Sequence, residues 1–193
     1  MLKKIKASGV TNLTDARYFA AWGVDYIGFD IDPESASFLS PPQFKEISQW
    51  IEGPEIVIEM GSISDEAWLH EYTQYVENPI LQCYSGNNPL SGFQWFEECA
   101  LSDGIYNFTS PYVVIHTIRS VKSLNQKELE YFHHITKNYN VFLDIPFSDQ
   151  ELSDLLKINV HGWVVRGGRE EKTGYKSFEE LDHIFEKMSD QPD

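Results

Sequence analysis

Seven short apolar runs recur along the chain, most of them separated by enough residues for a helix: KKIKA (3–7), YIGFDI (26–31), EIVIEM (55–60), ILQCYS (80–85), YVVIHTI (112–118), NVFLDI (140–145) and GWVVRG (162–167). Strands that read as near-continuous apolar runs are buried on both faces, and their alternation with amphipathic segments predicts a parallel sheet with crossover helices. Several helix starts are marked. Ser40-Pro41 places a cap residue before a proline at the first helical position, and Ser123 with Gln126, Ser148 with Glu151 and Ser177 with Glu180 have the capping-box spacing. Gly23 and Gly53 read as the stops of the first two helices. In the last helix Phe178, Leu181, Ile184, Phe185 and Met188 share one face, with Glu179, Asp182, Glu186 and Lys187 elsewhere. That periodicity describes a packing stripe rather than a cofactor site.

Parallel strands covered by helices form either an open doubly wound sheet or a closed barrel, and both carry chemistry at the carboxyl ends of the strands. No G-x-G-x-x-G or G-x-x-x-x-G-K-[ST] follows any run, which removes the main reason to expect a nucleotide-binding open sheet. The positions to read for function are therefore Ser8-Gly9, Asp30 to Asp32, Gly61-Ser62, Tyr84 to Gly86, His116 to Arg119, Asp144 to Pro146 and Arg166 to Arg169.

Length and composition narrow the partners. With 193 residues and 41% hydrophobic content the chain suits one domain, taken as residues 1–188 with a short disordered tail at 189–193. A formal charge of −15 repels nucleic acid and anionic membrane surfaces, whereas a small phosphorylated ligand held by a few backbone amides remains compatible with it. Two cysteines, no signal-peptide pattern and no apolar run near the roughly 20 residues of a membrane span point to a reducing cytoplasm. His133-His134 lies mid-helix without a partnering carboxylate pattern, so no metal site is expected there.

Both ends of the chain resemble a known family. KASGVTNLTDA (6–16) is similar to the K-I-C-G-I-T-N-x-x-D-A of phosphoribosylanthranilate isomerases, WGVDYIGF (22–29) to their G-A-D-x-x-G-F, and PESASFLSP (33–41) to P-K-S-x-R-Y-I-S-P. VVRGGREEKTGYK (164–176) aligns without a gap over D-V-S-S-G-V-E-x-x-P-G-x-K. The middle is thinner: QCYSG (82–86) is weakly similar to Q-L-H-G, and FLD (142–144) to the L-L-L-D of the family's sixth strand.

The resemblance implies a TIM-type (β/α) barrel and an Amadori rearrangement, which opens an aminoaldose phosphate with a general acid and moves a proton from C2 with a general base, without cofactor or metal. Asp144 takes the acid's position. Ser8 takes that of the family's basic cysteine, and an alcohol needs a partner base where a thiol can be poised as a thiolate. Ser37 stands where the family has a substrate-contacting arginine; Gly9, Gln82 and His116 complete the implied substrate contacts, His116 being the strand-end histidine able to replace the base. Arg166, Gly167, Gly168 and Arg169 would hold the phosphate. About twenty residues separate Asp144 from Val164, so one βα unit looks missing or remodelled: either seven strands leave a gap, or IYNFT (105–109) supplies a strand. Unpaired edges of an unclosed sheet would favour a homodimer. Two functions follow as expectations: an isomerase acting on N-(5-phosphoribosyl)anthranilate in tryptophan biosynthesis, or a catalytically silent barrel that binds a phosphorylated metabolite or a protein partner.

Overall fold

A computed structural model describes residues 3–87, 91–101, 107–167 and 178–189. Eight strands run in parallel: β1 (Lys4–Ser8), β2 (Tyr26–Asp30), β3 (Glu55–Gly61), β4 (Ile80–Tyr84), β5 (Trp95–Ala100), β6 (Tyr112–His116), β7 (Asn140–Asp144) and β8 (Gly162–Arg166). Each pairs with the next, and β8 pairs back onto β1 from Lys4 opposite Gly162 to Ser8 opposite Arg166, so the sheet is a closed barrel. Closure excludes the open sheet and corrects the expected gap, because no strand is missing. The strand that restores the count is WFEECA, outside the seven apolar runs; residues 107–109 carry no strand, and 105–106 lie outside the described residues. Closure also removes the unpaired edges that favoured a homodimer.

The remodelling lies in the connections. Helices α1 (Leu13–Ala21), α2 (Pro41–Ser48), α3 (Glu66–Thr73), α4 (Gln126–Ile135), α5 (Leu152–Leu155) and α6 (Glu179–Ser189) follow β1, β2, β3, β6, β7 and β8. Among the described residues no helix follows β4 or β5. The outer face of β5 is covered by loops instead, fastened by Glu97, which is 2% exposed and accepts hydrogen bonds from Ser85 Oγ at 2.7 Å, Thr109 N at 2.7 Å, Thr109 Oγ1 at 3.1 Å and Ser110 N at 3.2 Å. After β7 the helix start marked by Ser148 and Glu151 leads only into a 3-10 turn at Asp149–Glu151 and the single turn α5.

Local chemistry explains the helix limits. The Asn12 side chain caps α1 by accepting from Asp15 N at 2.9 Å, and Gly23, at φ +71°, sits in the left-handed region just beyond the helix. Ser40 precedes α2 as read, its amide donating to Gln43 Oε1 at 3.1 Å. Gly53 is not that helix's stop; it lies in the turn before β3. The cap of α4 is Asn125, reciprocally bonded with Glu128, and Ser123 belongs to a preceding 3-10 turn. The apolar stripe of α6 packs as its spacing predicts: Ile184 and Phe185 are buried, Phe185 stacks on Trp22 and Phe178 stacks on Tyr18 of α1 at 4.0 Å.

Inside the barrel the lower half is apolar. Tyr26, Phe96, Tyr112 and Phe142 meet edge to face at 5.2–5.6 Å, with Val57, Ile80, Val114 and Val164 filling around them. Gly162 makes this possible, since a Cβ there would lie 2.6 Å from the Lys4 carbonyl oxygen and would collide with the Phe142 ring. Above this plug the inward-facing side chains turn polar.

Candidate active site

Along β1 the inward side chains are Lys6, fully buried, and Ser8, 2% exposed. The Lys6 ammonium donates to Glu59 Oε1 and to Ser8 Oγ; Ser8 Oγ donates to Glu59 Oε1 at 2.7 Å, and Gly9 N donates to Glu59 Oε2 at 3.1 Å. Ser8 therefore caps no helix. Its hydroxyl is held by a carboxylate from β3, below the mouth. Gly28 of β2 leaves the space for this pair: a Cβ there would lie 2.8 Å from Lys6 Nζ and closer still to the Glu59 carboxylate. Gly28→Ala should cost about 1–3 kcal/mol, as overpacking of a filled core does; an unchanged urea midpoint would show that the pair moves aside freely.

A second group spans β4 to β6. Gln82 Nε2 donates to Glu98 Oε2 at 2.7 Å, and His116 Nδ1 lies 3.1 Å from Glu98 Oε1. Burial alone would raise the Glu98 carboxyl; contacts with His116 and Gln82 outweigh it and hold the group below its ordinary range. The Glu98 contact raises the His116 imidazole above its usual value, against the opposing effect of burial.

The third group closes the ring at the β7–β8–β1 side. Arg166 forms an ion pair with Asp144 Oδ2, and its Nη1 lies 3.3 Å from where a Gly9 Cβ would sit, with Ser37 Oγ at 3.2 Å from the same point. Gly9 has φ +62°, a backbone that L side chains rarely adopt, so both the conformation and the close approach call for glycine. Across the mouth, burial raises the half-buried Asp30 carboxyl, which accepts from Asp32 N at 2.9 Å.

Of these groups, Glu98, His116, Asp144 and Arg166 border a cavity of about 810 Å³ at the carboxyl end of the barrel. One wall is polar (Tyr84, Glu98, His116, Asp144, Arg166); the other is apolar (Ile118, Ile145, Pro146, Phe147, Leu181, Ile184). Size and lining suit a small molecule with an anionic part and an apolar part.

The expected site residues thus converge in two sets: Ser8, Gly9, Ser37, Arg166 and Asp144 on one side, and Gln82 and His116 on the other. Gly167 lines the cavity, whereas Gly168 and Arg169 lie outside the described residues. Asp144 ends the seventh strand, correcting its assignment to the sixth; the sixth ends at His116. Lys6, Glu59 and Glu98 were not among the expected residues. Their signal is a charged residue on the inward parity of a strand. Neither cysteine replaces the thiolate, because burial pushes Cys83 up to about 11 and Cys99 up to about 12.

Comparison with known proteins agrees with this architecture. N-(5'-phosphoribosyl)anthranilate isomerase of Thermotoga maritima is 35% identical over 89 residues, and that of Nitrosomonas eutropha 28% identical over 88. The stretches matched cover 45% of this chain and 41–42% of those proteins, less than half the length of the curated relatives. The crystal structure of the Thermus thermophilus enzyme superposes over 96% of this chain and 98% of its own with a TM-score of 0.79 at 18% identity. The chain resembles the phosphoribosylanthranilate isomerases in fold and, over part of its length, in sequence. A further member of that fold, crystallised with reduced 1-(o-carboxyphenylamino)-1-deoxyribulose 5-phosphate, covers 99% of this chain with a TM-score of 0.73 at 17% identity. No protein-family model matches the chain.

Proposed function

We propose that this phosphoribosylanthranilate isomerase relative is a cytoplasmic aldose–ketose isomerase acting on N-(5-phosphoribosyl)anthranilate, within tryptophan biosynthesis. The observation that carries this reading is the meeting of Arg166, Asp144 and His116 in one cavity beside Gly9 and Ser37. Arg166 offers a guanidinium to the substrate's anionic groups in the space that Ser37, shorter than an arginine, leaves free, and Gly167 to Arg169 extend the anchor for phosphate. Asp144, which reaches the cavity from the seventh strand rather than the sixth, serves as the general acid for ring opening once the substrate's anionic groups draw Arg166 off it and leave it to take up a proton. The apolar wall accommodates the aryl ring. The chemistry consists of proton transfers and calls on no metal or cofactor.

A second reading, a silent barrel that binds a phosphorylated metabolite, is favoured by one specific feature. The Ser8 hydroxyl is spent on Glu59 and Lys6. The fluorescence change on turnover of N-(5-phosphoribosyl)anthranilate by the purified chain separates the two: turnover supports the isomerase, and none at any pH supports the binding barrel. Under either reading ribose 5-phosphate should raise the melting temperature by several degrees at 100-fold excess over its dissociation constant, where binding contributes about 2.7 kcal/mol. Arg166→Ala should abolish that rise; an equal rise in the variant would remove Arg166 from the anchor.

A further inference from the structure

Three clusters of titratable side chains lie in the upper barrel, and they differ in what a ligand can reach. The Lys6–Ser8–Glu59 cluster is buried and closed on itself, every member bonded to another. The Asp144–Arg166 pair lines the cavity with each side chain bonded to the other. The third cluster contains an imidazole whose buried Nδ1 lies 3.1 Å from Glu98 Oε1, an ion-pair contact without hydrogen-bond alignment, and whose side chain is about one-third exposed at the cavity. A carboxylate beside Nδ1 favours the tautomer protonated there, and that tautomer carries its accepting lone pair on Nε2.

We propose that His116 is the catalytic base of this mouth, with Glu98 and, behind it, Gln82 as positioning residues. This rests on the isomerase reading. In the step assigned to it, the ring-opened substrate carries a protonated imine at C1. Neutral Nε2 of His116 removes the C2 proton; the C2–H electron pair becomes the C1=C2 bond, and the C1=N pair moves onto nitrogen, giving a neutral enaminol. The imidazolium then returns its proton to C1, the O2–H proton leaves to solvent, and the C2 ketone forms. The nitrogen keeps the proton it carries in the substrate, the acid's proton stays on the opened ring oxygen as O4–H, and the proton released from O2 replaces the one the acid gave up, so the balance closes with no co-reactant.

The groups facing His116 are Glu98 from β5, Asp144 from β7 and Arg166 from β8; Gln82 and Lys6 bear on Glu98 from behind, and Tyr84 of β4 shares its field. The carboxylates favour the imidazolium and Arg166 opposes it. The base must be neutral to act. Activity therefore falls as pH drops through a value above the ordinary 6.5 of histidine.

The test is kcat for N-(5-phosphoribosyl)anthranilate between pH 5 and 9 in the unmodified protein, His116→Gln and Glu98→Gln. The unmodified chain should show one acidic limb centred above pH 6.5. His116→Gln should lower kcat about 10²–10⁴-fold with KM little changed and the limb lost. Glu98→Gln should move the limb to lower pH, a shift that a merely structural carboxylate would not cause. A flat wild-type profile overturns the assignment without any variant, which covers the case of a substitution that fails to fold. Turnover with an undiminished His116→Gln rate overturns His116 while the isomerase stands; no turnover in the unmodified chain at any pH overturns both.

Discussion

Glu59→Leu should lower folding stability by about 3–5 kcal/mol, the range found when one partner of a buried ion pair is removed. Lys6 has no exposed surface and its ammonium faces Glu59, so the variant leaves a positive charge inside the barrel whose one remaining hydrogen-bond partner among the described residues is the Ser8 hydroxyl. A loss of this size is a large fraction of the 5–15 kcal/mol that holds a typical domain together. Lys6→Met in the same chain should restore most of it, because the penalty belongs to the uncompensated charge and an apolar pair of similar volume fits the same space. Urea unfolding of the two single variants and the double variant measures the coupling. A Glu59→Leu midpoint equal to wild type would mean that the pair contributes nothing to folding, and that the ammonium finds another partner.

The two halves of the barrel were unequally legible in the sequence. The lower half announces itself, since runs such as EIVIEM and YVVIHTI are apolar on both parities and can only be central strands. Trp95–Ala100 does not, because its two adjacent glutamates make it look like a solvated segment. In the fold the strand's period of two sends them apart. Glu97 goes outward to fasten the loops over β4 and β5, while Glu98 goes inward to Gln82 and His116. Each carboxylate is satisfied by residues distant in sequence, and no local pattern contains that information. Missing this strand also moved Asp144 one strand earlier than its true place.

Lys6 illustrates the same limit from the other sign. KKIKAS carries three lysines, yet the last of them, Lys6, is fully buried because Glu59 approaches it across the space left by Gly28. Charged residues enter a barrel interior only with partners, and desolvation makes such pairs costly relative to apolar packing. The lower half of this barrel uses apolar packing and the upper half accepts the cost. That division places the cavity where the fold class puts its chemistry, at the carboxyl ends of the strands. At that end Ser8 is turned inward to Glu59, and a guanidinium arrives from β8 on Arg166, beside Gly9 and Ser37.

Glu97→Ala should cost about 3–5 kcal/mol. Glu97 is the acceptor for two backbone amides and two hydroxyls, and a hydrogen bond to a charged group contributes about 1.5–3 kcal/mol. Water reaching Thr109 in the variant offsets part of the sum, whereas Ser110 is 1% exposed and its amide would stay buried without a partner. The effect is expected to be local first. With no described helix over β4 and β5, these bonds hold the loops that shield Cys83 and Cys99, so loosening them should open this side while the β1–β2–β3 side keeps its protection. Hydrogen exchange at Thr109 and Ser110 should accelerate, and the two thiols, inert to an aromatic disulfide reagent in the unmodified protein, should become reactive below the unfolding transition. Glu97→Gln, which keeps one acceptor oxygen, should lie between. Thiols that stay inert in Glu97→Ala, with an unchanged urea midpoint, would show that packing alone covers β5 and that the carboxylate is incidental to it.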